Sequence, residues 1–412
     1  MPRSPLRPAP LDRSRREFLR LAGATGLGVA CSAAASPLRT PIAFAATPGE
    51  NRLVVIVLRG AMDGLDVVAP YADPAYARLR PNLQRGPENG AVDLDGFFAL
   101  HEKLSPLLPL WRSRELAFVH AVSTPYRDGR SHFDGQDVLE TGAGDENALD
   151  DGWLNRALRV IPGAQTAAEV RYAMSIGRSS MLLLEGDAPA GSWAPSTRLN
   201  LGDDERGLLD RLYEKDPEFH AIAEEAFDIS DSGMQGDRGR ESGDTLAAFA
   251  ADMLKGPSRI AAFSIGGWDT HRRQQQAIRR PLDELSKAVL TLREQLGDAW
   301  GKTAVVAITE FGRTARENGD RGTDHGTGGV VVLAGGAVKG GRIWNGPGAA
   351  TFGGWPGLDD ADLYRQRDLL PTDDLRRIPA WALVSLMGAP RSAVARSVFP
   401  GVDLGGDPGI FA

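Results

Sequence analysis

Carboxylate and imidazole side chains recur in short Gly-rich segments of this 412-residue chain. Asp269 and His271 stand two residues apart after two glycines and a tryptophan, and Asp324 and His325 are adjacent in a second Gly-rich segment. Divalent metal ions take carboxylate oxygens and imidazole nitrogens as ligands in proteins. Because residues two apart in extended backbone project to the same side, Asp269 and His271 can converge on one ion. An N-cap Asp followed by a helix-start His is the alternative for this pair.

Three further segments carry side chains that suit ester chemistry. Asp63 follows an apolar run and is a candidate metal ligand, although Asp-Gly at that place also makes an ordinary turn. Ser131, with Asp134 three residues later, opens a helix, so its hydroxyl is either an N-cap or a nucleophile activated by a metal ion. Arg313 follows Glu310, and its guanidinium either forms an ion pair there or binds an anionic group bidentately. Three histidines show no partner pattern and are interpreted as structural: His101, His120 and His220.

The elements that must position these residues alternate between strands and helices. Apolar, β-branched runs predict strands at 53–58, 116–122, 172–176, 259–265, 303–309 and 330–334. Helical patterns fall at 100–112, 133–141, 153–160, 272–295, 373–386 and 392–398. This alternation predicts one α/β domain at 46–412, with a doubly wound, mostly parallel sheet flanked by helices. Ligands of such sheets bind beyond the carboxyl ends of the strands, where the polar segments above fall.

A segment at 229–244 is rich in Gly, Ser and Asp and has almost no apolar residue. Between helical stretches, this composition predicts a flexible surface loop or a lid.

The single cysteine narrows the chemistry further. One cysteine forms no internal disulfide, no CxxC redox pair and no thiolate zinc site, so carboxylates, histidines and hydroxyls must supply any reactive groups. The composition, 42% hydrophobic and 25% charged, excludes collagen-like, disordered and multi-span membrane proteins.

The first 45 residues are typical of a twin-arginine signal peptide. Arg15-Arg16 precede Phe-Leu, a short apolar run follows, and Ala43-Phe44-Ala45 forms a cleavage site. Cleavage there removes Cys31 and leaves 40 basic and 52 acidic residues, a net charge of −12. Such acidity argues against nucleic acid or an anionic membrane as a partner. If Cys31 were instead lipidated, it would tether the protein to a membrane, but Gly28 disfavours this alternative because a lipoprotein site requires an aliphatic residue there.

Five segments occur together in an order that resembles a bacterial secreted family, the domain of unknown function DUF1501. They are Arg-Gly-Ala-Met-Asp-Gly-Leu-Asp (59–66), Ser-His-Phe-Asp-Gly-Gln-Asp (131–137), Gly-Trp-Asp-Thr-His (267–271), Glu-Phe-Gly-Arg-Thr (310–314) and Gly-Thr-Asp-His-Gly (322–326). That family in turn resembles the alkaline phosphatase and sulfatase superfamily, which implies an alkaline-phosphatase-like α/β fold with a metal site at strand ends.

The resemblance also implies roles for individual residues. Asp63 corresponds to the metal aspartate after the first strand, and Ser131 is the best position for the nucleophile. Asp324 with His325, and Asp269 with His271, look like the pairs that serve two metal ions. The chain departs from the superfamily because no histidine follows His325. His132 or Glu310 could replace the missing ligand; otherwise the site holds one ion or none tightly.

Two functions follow from these residues. The first is an exported, periplasmic or extracellular hydrolase of phosphate or sulfate esters that depends on one or two divalent ions, with zinc, calcium and manganese as candidates. Its substrate would be a small-molecule or polymer-borne anionic ester, and the twin-arginine machinery would be its export partner. The second is a non-catalytic binding or scaffold protein on the same fold, since fold alone does not fix function.

Overall fold

The computed structural model describes residues 49–144, 149–164, 172–178, 180–194, 241–349 and 351–412. The described residues belong to one compact unit, which spans Ala45–Ala412. The predicted signal peptide lies outside them, as does the predicted loop up to residue 240, and the division of the chain at residue 45 stays a prediction. Within the described part of the chain, no helix combines the length and the apolarity needed to cross a membrane.

The strands form one large and one small sheet. The strands are β1 (Arg52–Arg59), β2 (Val68–Ala69), β3 (Val92–Asp93), β4 (Ala99–Leu100), β5 (Leu116–Ser123), β6 (Ala173–Ile176), β7 (Gly191–Trp193), β8 (Ile260–Gly266), β9 (Thr303–Ile308), β10 (Gly329–Ala334), β11 (Arg342–Trp344) and β12 (Asp373–Asp374). The large sheet has the order β11-β5-β10-β9-β1-β8-β6-β7, with β12 also paired to β5, and β2-β4-β3 form the small sheet.

Strand direction in the large sheet is uniform except for β10. β1 pairs in parallel with both β8 and β9, and β6 pairs in parallel with β7 and β8. β10 runs antiparallel to both its neighbours, β5 and β9, so β5 points the same way as β9 and β1. The predicted doubly wound, mostly parallel sheet is therefore confirmed, with β1 near its centre.

The central strand β1 separates two hydrophobic cores. Leu53, Val55 and Val57 pack in one core, whereas their neighbours Val54 and Ile56 pack in the other. Both sets are fully buried. Because side chains alternate between the two faces of a strand, a continuous apolar run satisfies both cores at once, as expected of a strand covered by helices on both faces.

Helices cover both faces of the sheet. The helices are α1 (Gly64–Val67), α2 (Tyr76–Leu79), α3 (Leu108–Arg112), α4 (His132–Thr141), α5 (Trp153–Leu158), α6 (Gly243–Lys255), α7 (Gln274–Ala277), α8 (Arg279–Leu296), α9 (Arg377–Ser385) and α10 (Arg391–Ala393). α8 buries Leu282, Leu285, Val289 and Leu292, a spacing of three and four residues that places them on one face. Gly142 ends α4 in the left-handed conformation, which glycine adopts without strain.

Most predicted elements are confirmed, and the corrections concern their boundaries. The helix predicted at 272–295 is divided into α7 and α8, and the one at 373–386 begins with β12 before α9. The predicted helix at 100–112 starts as a 3₁₀ helix, Glu102–Leu107, which continues into α3. The last two residues of the predicted loop at 229–244 are the first two of α6.

Candidate metal centre

The predicted site residues lie on loops at one edge of the large sheet. The carboxyl ends of β1, β5, β8 and β9 meet there because these strands are parallel in direction. β10 is antiparallel and therefore begins at the same edge, which brings the preceding segment with Asp324 and His325 to the others. His132 at the start of α4 and Asp269 after β8 complete the group.

Four side chains converge into a cluster that we call the histidine cluster: His132, Asp269, His271 and His325. Ligand atoms of His132, Asp269 and His325 all lie within 4.8 Å of one another. His271 adds its Nε2, which lies 3.0 Å from Asp269 Oδ1 and 3.0 Å from His325 Nε2. The structure thus brings together Asp269, His271 and His325 as the sequence predicts, and it adds His132, which the sequence offered only as a replacement ligand.

The other ring nitrogen of each histidine contacts an acceptor. His132 Nδ1 lies 2.8 Å from Glu310 Oε1, and His271 Nδ1 lies 3.2 Å from Asp324 Oδ1. His325 Nδ1 lies 2.7 Å from the backbone carbonyl of Arg130. Because carboxylates and carbonyls only accept hydrogen bonds, each Nδ1 carries the proton and donates it. The Nε2 atom of each neutral ring is then left with a free lone pair.

The histidine cluster therefore consists of acceptors that face one another. When the three rings are neutral, their Nε2 lone pairs face the carboxylate of Asp269 and the rings supply no donor between them. His132 Nε2 is buried without a hydrogen-bond partner among the described residues, although it lies 3.5 Å from Asp269 Oδ2. Acceptors converge in this way around a cation, and imidazole nitrogens held by carboxylates are typical of metal ligands. The donor set fits a divalent metal ion.

The electrostatics of the histidine cluster follow from burial and from neighbouring charges. Burial alone would raise the pKa of Asp269, but the hydrogen bond and charge of Arg313 outweigh it, so the pKa lies below its ordinary value. The hydrogen bond to Glu310 raises the pKa of His132, whereas burial and the charge of Arg313 lower the pKa of His325. Asp269 is thus ionised, and a cation bound at His132 competes with a proton.

Glu310 joins three elements behind His132. Its carboxylate is fully buried and accepts from the backbone N–H of Gly60 at 2.9 Å and from Gln136 at 3.2 Å, besides its contact with His132. Burial would raise the pKa of Glu310, but these hydrogen bonds, foremost that of His132, lower it further than burial raises it. Gly60 has φ +118°, and a Cβ there would meet the backbone nitrogen of Asp269 at 2.6 Å. Glu310 therefore orients His132 and is not brought to the cluster as an additional ligand.

Arg313 is enclosed by the loops that follow the strands. Its side chain is fully buried and donates to the backbone carbonyls of Ala61, Thr323 and Gly60, and to Asp269 Oδ1 at 2.5 Å. A guanidinium enclosed by these acceptors is not accessible to an anionic ligand, and it is not paired with Glu310. In this arrangement Arg313 holds the loop of Asp269 in place, and the predicted anion clamp stays a prediction.

Asp63 is not brought to the histidine cluster. It is 1% exposed and its two oxygens accept from Arg80, at 2.7 and 3.0 Å, in a bidentate ion pair. Gln274 donates to the same carboxylate at 2.5 Å, and the Asp63 side chain also caps α1 through the N–H of Leu65. In this arrangement the buried Arg80 supplies the positive charge beside Asp63, and the role of Asp63 as a metal ligand stays a prediction.

Gln274 connects this buried pair to both ligand loops. Its Nε2 donates to Asp63 and Asp66, and its Oε1 accepts from the hydroxyls of Thr270 at 2.9 Å and Thr323 at 2.7 Å. Thr270 precedes His271, and Thr323 precedes Asp324. All four hydrogen-bonding positions of the amide are used, so Gln274 fixes the two loops against each other.

Ser131 and Asp324 lie at the margin of the histidine cluster. Ser131 is the N-cap of α4 and accepts from the N–H of Asp134 at 3.4 Å, which is the capping alternative. It directly precedes His132 in the sequence. Asp324 contacts Nδ1 of His271 rather than the cluster's centre, a position that orients the ring of His271, and its role as a ligand stays a prediction.

The sequence gives little indication of the contact between His132 and Glu310. His132 and Glu310 are 178 positions apart, so no local spacing indicates that they meet. Of the histidines predicted to be structural, His101 and His120 are fully buried away from the cluster, and burial lowers the pKa of His120 to about 4. His220 lies outside the described residues.

Replacing Glu310 with Gln is expected to weaken metal binding about 10- to 100-fold, the usual effect of losing a carboxylate that orients a ligand. Glutamine keeps the shape of the side chain but removes the charge that holds the proton on His132 Nδ1. The dissociation constant, measured by competition with a chelator, tests this. Glu294→Gln on the exposed face of α8 is the matched control, and equal affinities for both variants would contradict the orienting role.

The fold and the histidine cluster define a mixed α/β protein with a candidate metal centre at the carboxyl edge of its large sheet. A family model described as a protein of unknown function, DUF1501, matches residues 118–346, more than half of the chain. The chain belongs to the DUF1501 family, as the five sequence segments predicted.

Comparison with solved structures gives several likenesses at low identity. The C-terminal periplasmic domain of EcEptC from Escherichia coli, in complex with zinc, is 10% identical over 70% of this chain and 73% of that chain, with a TM-score of 0.37. The PsFucS1 sulfatase from Pseudoalteromonas sp. is 12% identical over 88% and 73%, with a TM-score of 0.37. A protein in the alkaline phosphatase superfamily from Vibrio parahaemolyticus is 12% identical over 70% and 61%, with a TM-score of 0.33. No curated protein matches the chain.

Proposed function

We propose that this protein is an exported hydrolase of phosphate or sulfate esters that uses a divalent metal ion held by His132, Asp269, His271 and His325. One observation carries the metal site. In His132, His271 and His325 the Nδ1 atom contacts a hydrogen-bond acceptor, which leaves the three Nε2 atoms to face the carboxylate of Asp269. When bound, the ion would polarise the ester and offset the charge of the leaving oxygen.

The ligand types favour some ions over others. Three imidazole nitrogens with one carboxylate suit zinc, and also manganese, whereas calcium and magnesium prefer sites made mainly of oxygen. Of the candidate ions, the donor set therefore supports zinc first, manganese second and calcium least.

One ion rather than two is the expectation that we favour. The second acidic position, Asp63, is neutralised by Arg80, and Asp324 is occupied with His271 and with Asn318 at 3.1 Å. Too few free carboxylates are then left among the described site residues to hold a second ion beside the first. A mononuclear site fits the absence of a histidine after His325 in the sequence.

The chain's own residues would bind and orient the ester. Ser131 lies at the positive end of α4, where the free N–H groups of the helix stabilise negative charge. As the N-cap, its oxygen already accepts a hydrogen bond, which stabilises a developing negative charge on that oxygen. Ser131 therefore remains the proposed nucleophile. Arg313 fixes Asp269, and Glu310 fixes His132, so the ligands are held in place before the substrate binds.

The proposal includes export, which is supported by the twin-arginine segment and the Ala43-Phe44-Ala45 cleavage site. A mature N-terminus at Ala46 in the exported protein would bear this out.

A non-catalytic binding protein is the second candidate. The specific observation in its favour is that Arg80 and Arg313 are fully buried and engaged, so neither is accessible to an anionic group. This candidate shares the metal site and differs only in the chemistry.

Metal analysis combined with an ester screen separates the candidates. We expect about one ion per chain, most readily zinc, and hydrolysis of aryl phosphates or aryl sulfates that a chelator abolishes and added metal restores. Stoichiometric metal without hydrolysis would favour the binding protein. Purified protein that holds no metal after incubation with zinc or manganese would refute the metal site itself.

A further inference from the structure

A polar cleft lies between the segment that follows α2 and the helices α7 and α8. Its volume is about 560 Å³, and Asn82, Arg85, Gln276 and Arg279 are among the residues that line it. An adjoining cleft of about 520 Å³ shares Asn82 and Gln276 with the first and is also lined by two exposed arginines, Arg273 and Arg321. We refer to both together as the amide–arginine cleft. Each part has the volume of a small-molecule site.

The charges that line the amide–arginine cleft are all positive. Four arginines contribute to its walls, and no carboxylate is among the lining residues. Arg279 is paired with Glu102 at 2.8 Å, but Arg273 and Arg321 form no ion pair with any residue that the structure describes. In a chain with a formal net charge of −7, a cleft whose charged lining residues are all arginines favours an anionic ligand.

Arg85 forms the buried side of the cleft. Its side chain is only 9% exposed, and it donates through Nε to Asp66 at 2.7 Å and through Nη1 to Glu102 at 3.4 Å. Its Nη2 is buried without a hydrogen-bond partner among the described residues. Since Nη2 has no exposed surface, Arg85 contributes positive charge to the wall of the cleft and not a free donor.

The neutral side chains of the cleft indicate what else that molecule carries. Five of them are carboxamides: Asn82, Gln84, Asn89, Gln275 and Gln276. A carboxamide both donates and accepts, as does a hydroxyl group. Asn82, Asn89 and Gln275 already donate within the protein, so Gln84 and Gln276 are the carboxamides that suit the hydroxyls of a ligand. Guanidinium groups bind carboxylates and sulfates bidentately. Among the described residues that line the cleft there is no aromatic ring to stack on a nucleobase, which favours a sugar over a nucleotide.

We propose that the amide–arginine cleft binds an acidic saccharide, with the arginines on its carboxylate or sulfate groups and the carboxamides on its hydroxyls. This binding goes beyond the proposed ester hydrolysis and requires no metal ion. It would retain the protein on acidic polysaccharides.

Calorimetric titration in the presence of a chelator tests the proposal independently of the metal centre. The probes are trigalacturonate and a sulfated chondroitin tetrasaccharide, with fully methyl-esterified trigalacturonate as the uncharged control. The test variant is Arg273→Gln with Arg321→Gln, which removes two exposed charges of the cleft and leaves the buried ion pairs intact. The matched control, Arg272→Gln with Arg280→Gln, removes two charges from neighbouring residues that do not line the cleft.

We expect at least one acidic probe to bind the unmodified protein, and the Arg273/Arg321 variant to bind it at least tenfold more weakly. The Arg272/Arg280 variant should stay within twofold of the unmodified protein, and the esterified probe should bind far more weakly. The proposal is overturned if neither acidic probe binds, if both variants lose affinity equally, or if the ester binds as tightly as the acid. Tighter binding of a single-stranded oligonucleotide, lost in the same variant, would assign the cleft to nucleic acid instead.

Discussion

An Asp269→Asn variant should lose its stoichiometric metal ion and, with it, ester hydrolysis. Asparagine keeps an oxygen that can accept from Arg313, which now holds Asp269 Oδ1 at 2.5 Å, so the loop after β8 keeps its anchor. It removes the negative charge faced by His132, His271 and His325. All ligands of a structural zinc site together give a binding free energy of about 10–16 kcal/mol. Losing one charged ligand is therefore expected to weaken metal binding about a hundredfold or more.

His325→Ala gives the same test from another loop. It removes one Nε2 from the histidine cluster and leaves the Asp269–Arg313 pair intact. We expect hydrolysis to fall on the order of a hundredfold to a thousandfold, comparable to removing one preorganised group from an active site. Metal content is measured by elemental analysis, and folding by circular dichroism.

Asp320→Asn serves as the control for both variants. Asp320 is an exposed carboxylate in the same Gly-rich segment as Asp324, but its contact is with Arg272 and not with the cluster. Unchanged metal content and activity are expected for this variant. If Asp269→Asn and His325→Ala also keep a full complement of metal, then the histidine cluster is not the metal site.

Arg80→Met is expected to lower the free energy of unfolding by about 3–5 kcal/mol, because it leaves the carboxylate of Asp63 buried without its cation. Both side chains of this pair are at most 1% exposed, so water cannot replace the lost interaction. Arg80 also donates to the carbonyls of Thr314 and Ala315 at 2.9 Å each, and these would lose their donors. Urea denaturation measures the change.

Arg78→Met is the matched control on the same helix, α2. Arg78 is about half exposed and lies 3.5 to 3.6 Å from two exposed carboxylates, so its loss should cost less than about 1 kcal/mol. In the double variant Asp63→Asn with Arg80→Met, the unpaired charge is gone, and the loss should be smaller than the sum of the two single changes.

Metal binding by an Asp63 variant tests whether Asp63 is a metal ligand. Asp63→Asn should retain the metal ion, since Asp63 is not in the histidine cluster and an asparagine can still cap α1. Loss of the ion in a folded Asp63→Asn variant would restore Asp63 as a ligand and contradict the one-ion interpretation.

The buried ion pair of Asp63 and Arg80 could not be predicted from the sequence around Asp63. Asp63 follows β1 at the edge where ligands bind, as the strand pattern indicated. What removes it from the metal site is Arg80, 17 residues later at the end of α2, whose guanidinium turns inward to the carboxylate. Arginine is exposed in most proteins, so nothing in the local sequence distinguishes a buried one.

The contacts of Arg313 could not be predicted from its local sequence either. Its position after β9 was correct, but the direction of its side chain depends on three loops whose carbonyls it contacts. A guanidinium at a strand end can bind a ligand or hold the loops together, and only the packing of the loop after β1 against the loop after β8 decides between them.

The sequence by itself determined the strands, their order along the chain and the loops that carry the chemistry. Continuous apolar runs make β1, β5, β8, β9 and β10 recognisable, because a strand covered on both faces needs no polar side chain. Membership of the DUF1501 family was also readable from the short segments. These features are local, so they can be read without knowledge of which strands pair.

The tertiary structure alone decided which of the candidate residues meet. The antiparallel direction of β10 brings His325 to the edge where β8 leaves Asp269, and Glu310 turns the ring of His132 towards the same point. It likewise decided that Arg80 and Arg313 are enclosed. Contacts between residues 50 to 250 positions apart depend on strand pairing and on burial across the whole fold, and no spacing within one segment encodes them.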